Sequence, residues 1–139
     1  AKPVPVDPRY FRRPKQGMAL TALAGPVSNL LLALLLLLGS RLIYQFAPYS
    51  DAWNGIFYFL LRTSVLSVGL GIFNLIPIPP LDGSKILAAF LPDRTYFQLM
   101  RYERYGMLLL IVLSFWGVGG NAVSAAIGWV YNLFVNLIY

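Results

Sequence analysis

Residues 18–39 read MALTALAGPVSNLLLALLLLLG, and only Thr21, Ser28 and Asn29 interrupt this stretch with polar side chains. A helix that crosses a lipid bilayer needs about 20 consecutive, mostly apolar residues. The stretch therefore predicts one membrane-spanning helix.

A second apolar run extends from about residue 56 to residue 76 and is long enough for another span. It contains Arg62 near its start, where a long side chain can reach the membrane surface. Pro77, Pro79 and Pro80 follow the run. Because proline lacks the backbone N–H that a helix needs, these residues predict the end of the second span.

Residues 105–139 are apolar again, but the stretch GVGGN at 117–121 interrupts them with a turn signal. Two arrangements fit this pattern: one span followed by an interfacial or re-entrant helix, or two tilted short spans that form a hairpin. Residues 84–104 are predicted to form a short amphipathic piece and a charged loop. Residues 1–16 are basic and proline-rich, which predicts an extended segment at the membrane interface.

The composition excludes an ordinary soluble domain. Of the 139 residues, 58% are hydrophobic and only 12% are charged, whereas soluble domains have about 25% charged residues. The mean hydropathy is +0.67. We expect an all-α, polytopic membrane helix bundle with three to four spanning or re-entrant helices, forming a single membrane domain over residues 1–139 behind its extended N-terminal segment.

The formal net charge is +6, and the basic residues lie between the apolar runs. This placement favours contact with the lipid bilayer over nucleic acid. Five Lys or Arg residues precede the first span and four lie between residues 85 and 104. Because Lys and Arg collect on the cytoplasmic side, both segments are predicted to face the cytoplasm.

Residues 73–83 read FNLIPIPPLDG and carry the sharpest candidate site. A carboxylate at membrane depth is costly unless it is paired or binds a metal, so Asp82 is a functional candidate. Irregular backbone at that depth is tolerated only inside protein or beside a water-filled cavity. A plainer alternative is equally open: Asp82 caps a helix by accepting a backbone N–H from Ser84 or Lys85.

Two further features limit the chemistry. Gly25, Pro26, Ser28 and Asn29 lie within the first span, where small and polar residues commonly serve helix packing. The chain has no histidine and no cysteine, which excludes a Ser-His-Asp triad and thiolate metal sites within these residues.

At these residues the chain closely resembles the site-2 protease family, the intramembrane zinc metalloproteases. One match is the family's downstream N-x-x-P-x-x-P-L-D-G motif, and the other is its G-P-x-x-N stretch on the preceding span. The proline-rich opening also looks like the stretch before that span in compact bacterial and archaeal members. The matching residues are Asn74, Pro77, Pro79, Pro80, Leu81, Asp82 and Gly83 for the first motif, and Gly25, Pro26 and Asn29 for the second.

The resemblance implies a zinc-dependent endopeptidase that cleaves transmembrane protein substrates within the bilayer. It implies that Asp82 is the third protein ligand of a catalytic Zn²⁺, beside two histidines of an H-E-x-x-H helix whose Glu is the general base. It implies that Asn74 supports the substrate or the oxyanion, and that the proline-rich opening belongs to a strand beside the cleft. The expected location is the plasma membrane of a bacterium or archaeon, with the site facing the cytoplasm.

Because the 139 residues contain no histidine, we interpret the chain as the C-terminal part of a longer protease whose N-terminal H-E-x-x-H segment is missing here. Alone it is expected to be inactive and to bind no zinc, since one carboxylate is a poor zinc site. The alternative is a catalytically inactive membrane scaffold or pseudoprotease that binds client helices.

Overall fold

The computed structural model describes residues 14–78, 81–117 and 119–139. Within these ranges the chain forms six helices and no strand, which confirms the predicted all-α class. The helices are α1 (Pro14–Phe46), α2 (Asp51–Asn74), α3 (Asp82–Ala88), α4 (Asp93–Arg101), α5 (Glu103–Trp116) and α6 (Gly120–Ile138).

Three of the described helices are long and apolar enough to cross a membrane: Gln16–Phe46 within α1, Asp51–Asn74 and Gly120–Ile138. An α-helix rises about 1.5 Å per residue, so the 14 residues of α5 extend only about 21 Å. The hydrocarbon core of a bilayer is about 30 Å thick. The predicted membrane helix bundle is therefore confirmed, with α1, α2 and α6 as the candidate spans.

The glycine-rich turn separates α5 from α6. Gly117 has a φ of 68° and Gly119 a φ of 79°, both in the left-handed region that glycine adopts without strain. Of the two helices that flank this turn, the second is long enough to span and the first is not. The sequence left two arrangements open; in the one that pairs a span with an interfacial or re-entrant helix, the helix long enough to span is the second, α6, because the turn ends α5 after only four helical turns.

The first helix begins earlier than the sequence predicted. Residues 14–16 belong to α1, whereas the sequence placed them in an extended segment. Residues 1–13 lie outside the described part of the chain, so the extended segment predicted for them stays a prediction.

The charged loop predicted up to residue 104 is instead largely helical, since α3, α4 and the start of α5 occupy it. Arg94 and Arg101 are seven residues apart in α4 and are both exposed. A spacing of two helical turns places them on one face. The charges therefore fit an amphipathic helix as well as they fit a loop.

The chain divides into two compact units. The first joins the start of α1, through Pro26, to the segment from Asn74 to the end of α5. The second joins Val27–Phe73 to Gly119–Tyr139. The candidate site residues fall mainly in the first unit.

Small residues and hydroxyls form the core of the second unit. A Cβ added at Gly39 would lie 3.5 Å from Leu60 Cδ1, and one added at Gly69 would lie 3.7 Å from Ile127 Cδ1. Both distances are ordinary van der Waals contacts, so Gly39 marks where α1 packs against α2 and Gly69 where α2 packs against α6. The fully buried residues of this unit are Ala33, Leu37, Ser40, Ser64 and Val68.

The end of α6 is tied to α1. The Ser40 and Tyr139 hydroxyls are 2.6 Å apart, and the Arg41 guanidinium donates a hydrogen bond of 3.0 Å to the Tyr139 carbonyl. The same guanidinium lies 5.7 Å from the centre of the Tyr139 ring. Polar contacts between membrane helices are each worth about 0.6–2 kcal/mol, so this cluster fixes the α6 terminus.

In the first unit, α3 lies against the chain that leaves α2. The Ile78 N–H donates to the Ile76 carbonyl, and the Leu81 N–H donates to the Ile78 carbonyl, each over 2.9 Å. These bonds fold the chain back so that Gly83 contacts the carbonyls of Leu75 and Ile76. A Cβ at Gly83 would overlap both carbonyl groups. Only glycine fits this position.

We expect Gly83→Ala to lower the free energy of unfolding by about 3 kcal/mol, because backbone carbonyls cannot move aside as a flexible side chain could. The measurement is the thermal unfolding midpoint of the detergent-purified protein. Gly55→Ala is the matched control, since a Cβ there meets nothing within 4 Å and alanine favours a helix over glycine by about 0.5–1 kcal/mol. Equal midpoints for the two variants would contradict the close packing at Gly83.

Candidate metal centre

The local sequence places Asp82 in the first turn of α3. The helix begins immediately after Leu81, which has extended backbone angles of φ −70° and ψ 153° and occupies the N-cap position. The Ser84 N–H donates to the Leu81 carbonyl over 3.1 Å. The alternative in which Asp82 is the N-cap residue is therefore wrong, because Leu81 holds that position and Asp82 lies one residue inside the helix.

The Asp82 carboxylate packs against α1 at Gly25. A Cβ built on Gly25 would lie 3.0 Å from Asp82 Oδ2, a tighter contact than nearly all real Cβ atoms make. The missing side chain of Gly25 thus provides the room for the carboxylate. This contact joins the two sequence motifs, because Gly25 belongs to the G-P-x-x-N stretch and Asp82 to the L-D-G stretch.

Two residues of α1 near Gly25 are buried. Pro26 is less than 2% exposed and Ala22 is 4% exposed. Residues 22 and 26 are four apart, so they lie on the same side of the helix. Asp82 itself is half-buried. The carboxylate therefore lies between an apolar helix face and the accessible surface.

The α3 side of the site is also tightly packed. Leu81 is 9% exposed, and Ser84 is 1% exposed. The Ser84 hydroxyl donates to the Leu81 carbonyl over 2.7 Å. Sequence reasoning considered only the backbone N–H of Ser84 and missed this role of its side chain. A serine two residues after an aspartate at a helix start is the signal that could have found it.

The other predicted residues lie at different places. Asn74 is the last residue of α2 and is half-buried, while Pro77 is exposed in the turn that follows. Asn29 belongs to the second unit, where its carbonyl accepts a hydrogen bond of 2.6 Å from the Ser67 hydroxyl. Pro79 and Pro80 lie outside the described residues.

Among the described candidate residues, Asp82 can supply one protein ligand of a zinc site. A catalytic zinc takes three protein ligands, and a carboxylate oxygen is one of the accepted types. Asp82 supplies such an oxygen at a half-buried position. No group of three or more His, Cys, Asp or Glu residues that could hold a metal occurs among the residues that the structure describes.

Comparison with known proteins agrees with the motif resemblance. The family model described as "Peptidase family M50" matches residues 42–116, just over half of the chain. This range includes the whole FNLIPIPPLDG stretch and Asp82. No solved structure matches the chain.

Several curated relatives carry protease names. The chain is 35% identical to "Putative zinc metalloprotease YwhC" of Bacillus subtilis (strain 168) over 118 residues, which cover 81% of the chain and 52% of that protein. It is 31% identical to "Putative zinc metalloprotease Rip2" of Mycobacterium tuberculosis (strain ATCC 25618 / H37Rv) over 115 residues, which cover 82% of the chain and 42% of that protein.

A third relative, "Protease RseP" of Photorhabdus luminescens, is 38% identical over 69 residues, or 45% of the chain and 30% of that protein. The chain thus spans about half the length, or less, of these curated relatives. The family match, the two motifs that meet at Gly25 and Asp82, and the membrane helices all agree. The chain belongs to peptidase family M50, the family of the site-2 proteases.

Proposed function

We propose that this chain is part of a zinc-dependent intramembrane endopeptidase and that Asp82 is its contribution to the zinc site. The observation that carries the proposal is the contact between the Asp82 carboxylate and Gly25. It brings together the two motifs that resemble the family pattern, although they lie on α1 and α3. Because Gly25 lies within the candidate span Gln16–Phe46, a carboxylate beside it would be costly without such a role.

The remaining zinc ligands come from residues outside these 139. The chain contains no histidine and no cysteine, and zinc in catalytic sites takes three protein ligands. Two histidines of an H-E-x-x-H helix would complete the set. Zinc in such a site activates a water molecule for attack on a peptide bond near neutral pH.

This chain's own residues orient and support the site. Gly25 leaves room for the Asp82 carboxylate and limits where it can move, because the Gly25 backbone is directly beside Oδ2. The tight packing of Gly83 against Leu75 and Ile76 holds the first turn of α3 in place. Asn74 ends α2, and its side-chain amide is the donor we assign to the substrate carbonyl or the developing oxyanion.

The membrane setting fits cleavage of transmembrane protein substrates. If α1 and α2 both cross the bilayer, the chain before α1 and the segment from α3 to α5 lie on the same side. Both segments are basic, so that side is the cytoplasm. The site then faces the cytoplasm, in the plasma membrane of a bacterium or archaeon.

The first test is Asp82→Asn in the protein that carries both this chain and the H-E-x-x-H helix. Loss of a zinc ligand is expected to lower cleavage of a transmembrane substrate by more than about 100-fold. Replacing a residue that only hydrogen-bonds to a metal ligand already costs up to about 100-fold in metal affinity or activity. Zinc content should fall while protein abundance is retained, because the amide matches the carboxylate in shape. The measurements are cleavage of a labelled substrate and metal analysis of the same sample.

Asp51→Asn is the control for the loss of one carboxylate, since Asp51 is exposed at the start of α2. It should cleave substrate at the normal rate. Normal cleavage and zinc content in Asp82→Asn would overturn the assignment and favour a protein that binds client helices without cutting them.

Asn74→Ala is expected to lower activity without loss of zinc, because Asn74 is assigned to the reaction and not to metal binding. Removal of one oxyanion donor typically costs about 10²–10³ in kcat, and zinc content should remain normal because the amide is not a ligand. Initial rates over a range of substrate concentrations give kcat and KM. A variant that lost zinc together with activity would show that Asn74 acts on the structure of the site and not on the reaction.

Cysteine cross-linking tests the contact that supports the proposal. The chain has no cysteine, so Gly25→Cys with Asp82→Cys introduces the only thiol pair. We expect mild oxidation to form an intramolecular disulfide, measured by intact mass after the free thiols are alkylated. Leu23→Cys with Asp82→Cys is the control, because residues 23 and 25 lie on opposite faces of α1. Equal cross-linking of both pairs would contradict the contact.

A further inference from the structure

A shallow cavity of about 740 Å³, largely open to the surface, lies where α4 meets α5, in the first unit. Among the side chains that the structure describes, its lining has two arginines, two tyrosines, one acidic residue and one apolar residue: Arg101, Tyr102, Glu103, Arg104, Tyr105 and Met107. None of these residues belongs to the Asp82 site.

The two arginines make the cavity suitable for an anion. Both are exposed, and neither has an ion-pair or hydrogen-bond partner among the side chains that the structure describes. Guanidinium groups hold phosphate oxygens through paired hydrogen bonds. Glu103 offsets part of the positive charge, so the site fits a single phosphate better than a long polyanion.

The aromatic residues place the cavity at the membrane surface. The rings of Tyr102 and Tyr105 lie 5.9 Å apart, tilted by 49°, and they are 58% and 63% exposed. Tyrosine collects at the level of the lipid headgroups, because its ring is apolar and its hydroxyl is polar. The basic face of α4, with Arg94 and Arg101, is typical of a helix that lies on an anionic membrane surface.

An apolar surface continues from the cavity along α5. Met107, Leu108, Ile111 and Phe115 are all about half-exposed or more, and spacings of three and four residues place them along neighbouring positions of the helix. The helix is too short to cross the bilayer. The surface therefore combines a cationic end with an apolar side, which matches a molecule with a phosphate head and hydrocarbon chains.

We propose that the α4–α5 junction is a binding site for an anionic phospholipid. Arg101 and Arg104 hold its phosphate, the two tyrosines flank the headgroup, and the acyl chains lie along α5. Recognition at this site is independent of zinc and of peptide hydrolysis.

The test uses the full chain in nanodiscs of phosphatidylcholine with a minor fraction of phosphatidylglycerol. Native mass spectrometry measures how much phosphatidylglycerol stays bound on release from the nanodisc. Arg101→Gln with Arg104→Gln is expected to weaken retention about 30-fold, since each basic residue near an anionic surface contributes about fivefold. Retention of phosphatidylcholine should not change.

Two controls separate a built site from general surface charge. Arg62→Gln with Lys85→Gln removes the same charge outside both α4 and the cavity lining and should retain phosphatidylglycerol as the unaltered chain does. Arg101→Lys with Arg104→Lys keeps the charge but loses the paired hydrogen bonds, so its retention should be intermediate. Circular dichroism checks that each variant is helical.

Three results would overturn the proposal. One is unchanged retention when both cavity arginines are replaced, and another is an equal loss in the Arg62 and Lys85 variant. The third is complete displacement of the lipid by millimolar glycerol phosphate, which would identify a site for free phosphate compounds. Failure of the lipid site would leave the zinc protease proposal untouched, because the two tests share no readout.

Discussion

The close approach of α3 to the chain leaving α2 is the contact on which the first unit depends. A seven-residue helix such as α3 has little stability of its own. Its position comes from Gly83, which lies directly against the carbonyls of Leu75 and Ile76. That packing sets where Asp82 begins the helix and brings its carboxylate to Gly25. Gly83 makes room for the backbone carbonyls, and Gly25 makes room for the Asp82 carboxylate.

The long membrane helices could be predicted from the sequence, because an apolar run of about 20 residues has few other stable structures in a bilayer. Their ends could not: α1 extends from Pro14 to Phe46, well past the apolar stretch at 18–39. Charged and polar residues outside the hydrocarbon core do not oppose a helix, so hydropathy does not mark its end. The short helix α4 was missed for a related reason, since a helix with one charged and one apolar face has a low mean hydropathy.

The sequence indicated Asp82 and Gly25 by residue type and by resemblance, but not their contact, which depends on how α3 packs on α1. It also treated Gly25, Pro26 and Asn29 as one motif. In the structure, Pro26 and Asn29 fall in different compact units, and the Asn29 carbonyl is bound by Ser67. Neighbours in a motif can thus have separate packing roles. The zinc-ligand role of Asp82 stays a prediction, because its partner ligands are not among these residues.

The hydrogen bond of the Ser40 hydroxyl within its own helix bears on how α1 enters the membrane during synthesis. It donates to the Leu37 carbonyl of its own helix over 2.7 Å, so its contact with Tyr139 is donated by the tyrosine hydroxyl. Residue 40 leaves the ribosome long before residue 139, and chains of this kind assemble from the N-terminus. Because the Ser40 hydroxyl already donates within α1, α1 can enter the bilayer without an unpaired hydroxyl donor. The contact with Tyr139 then forms when α6 is inserted.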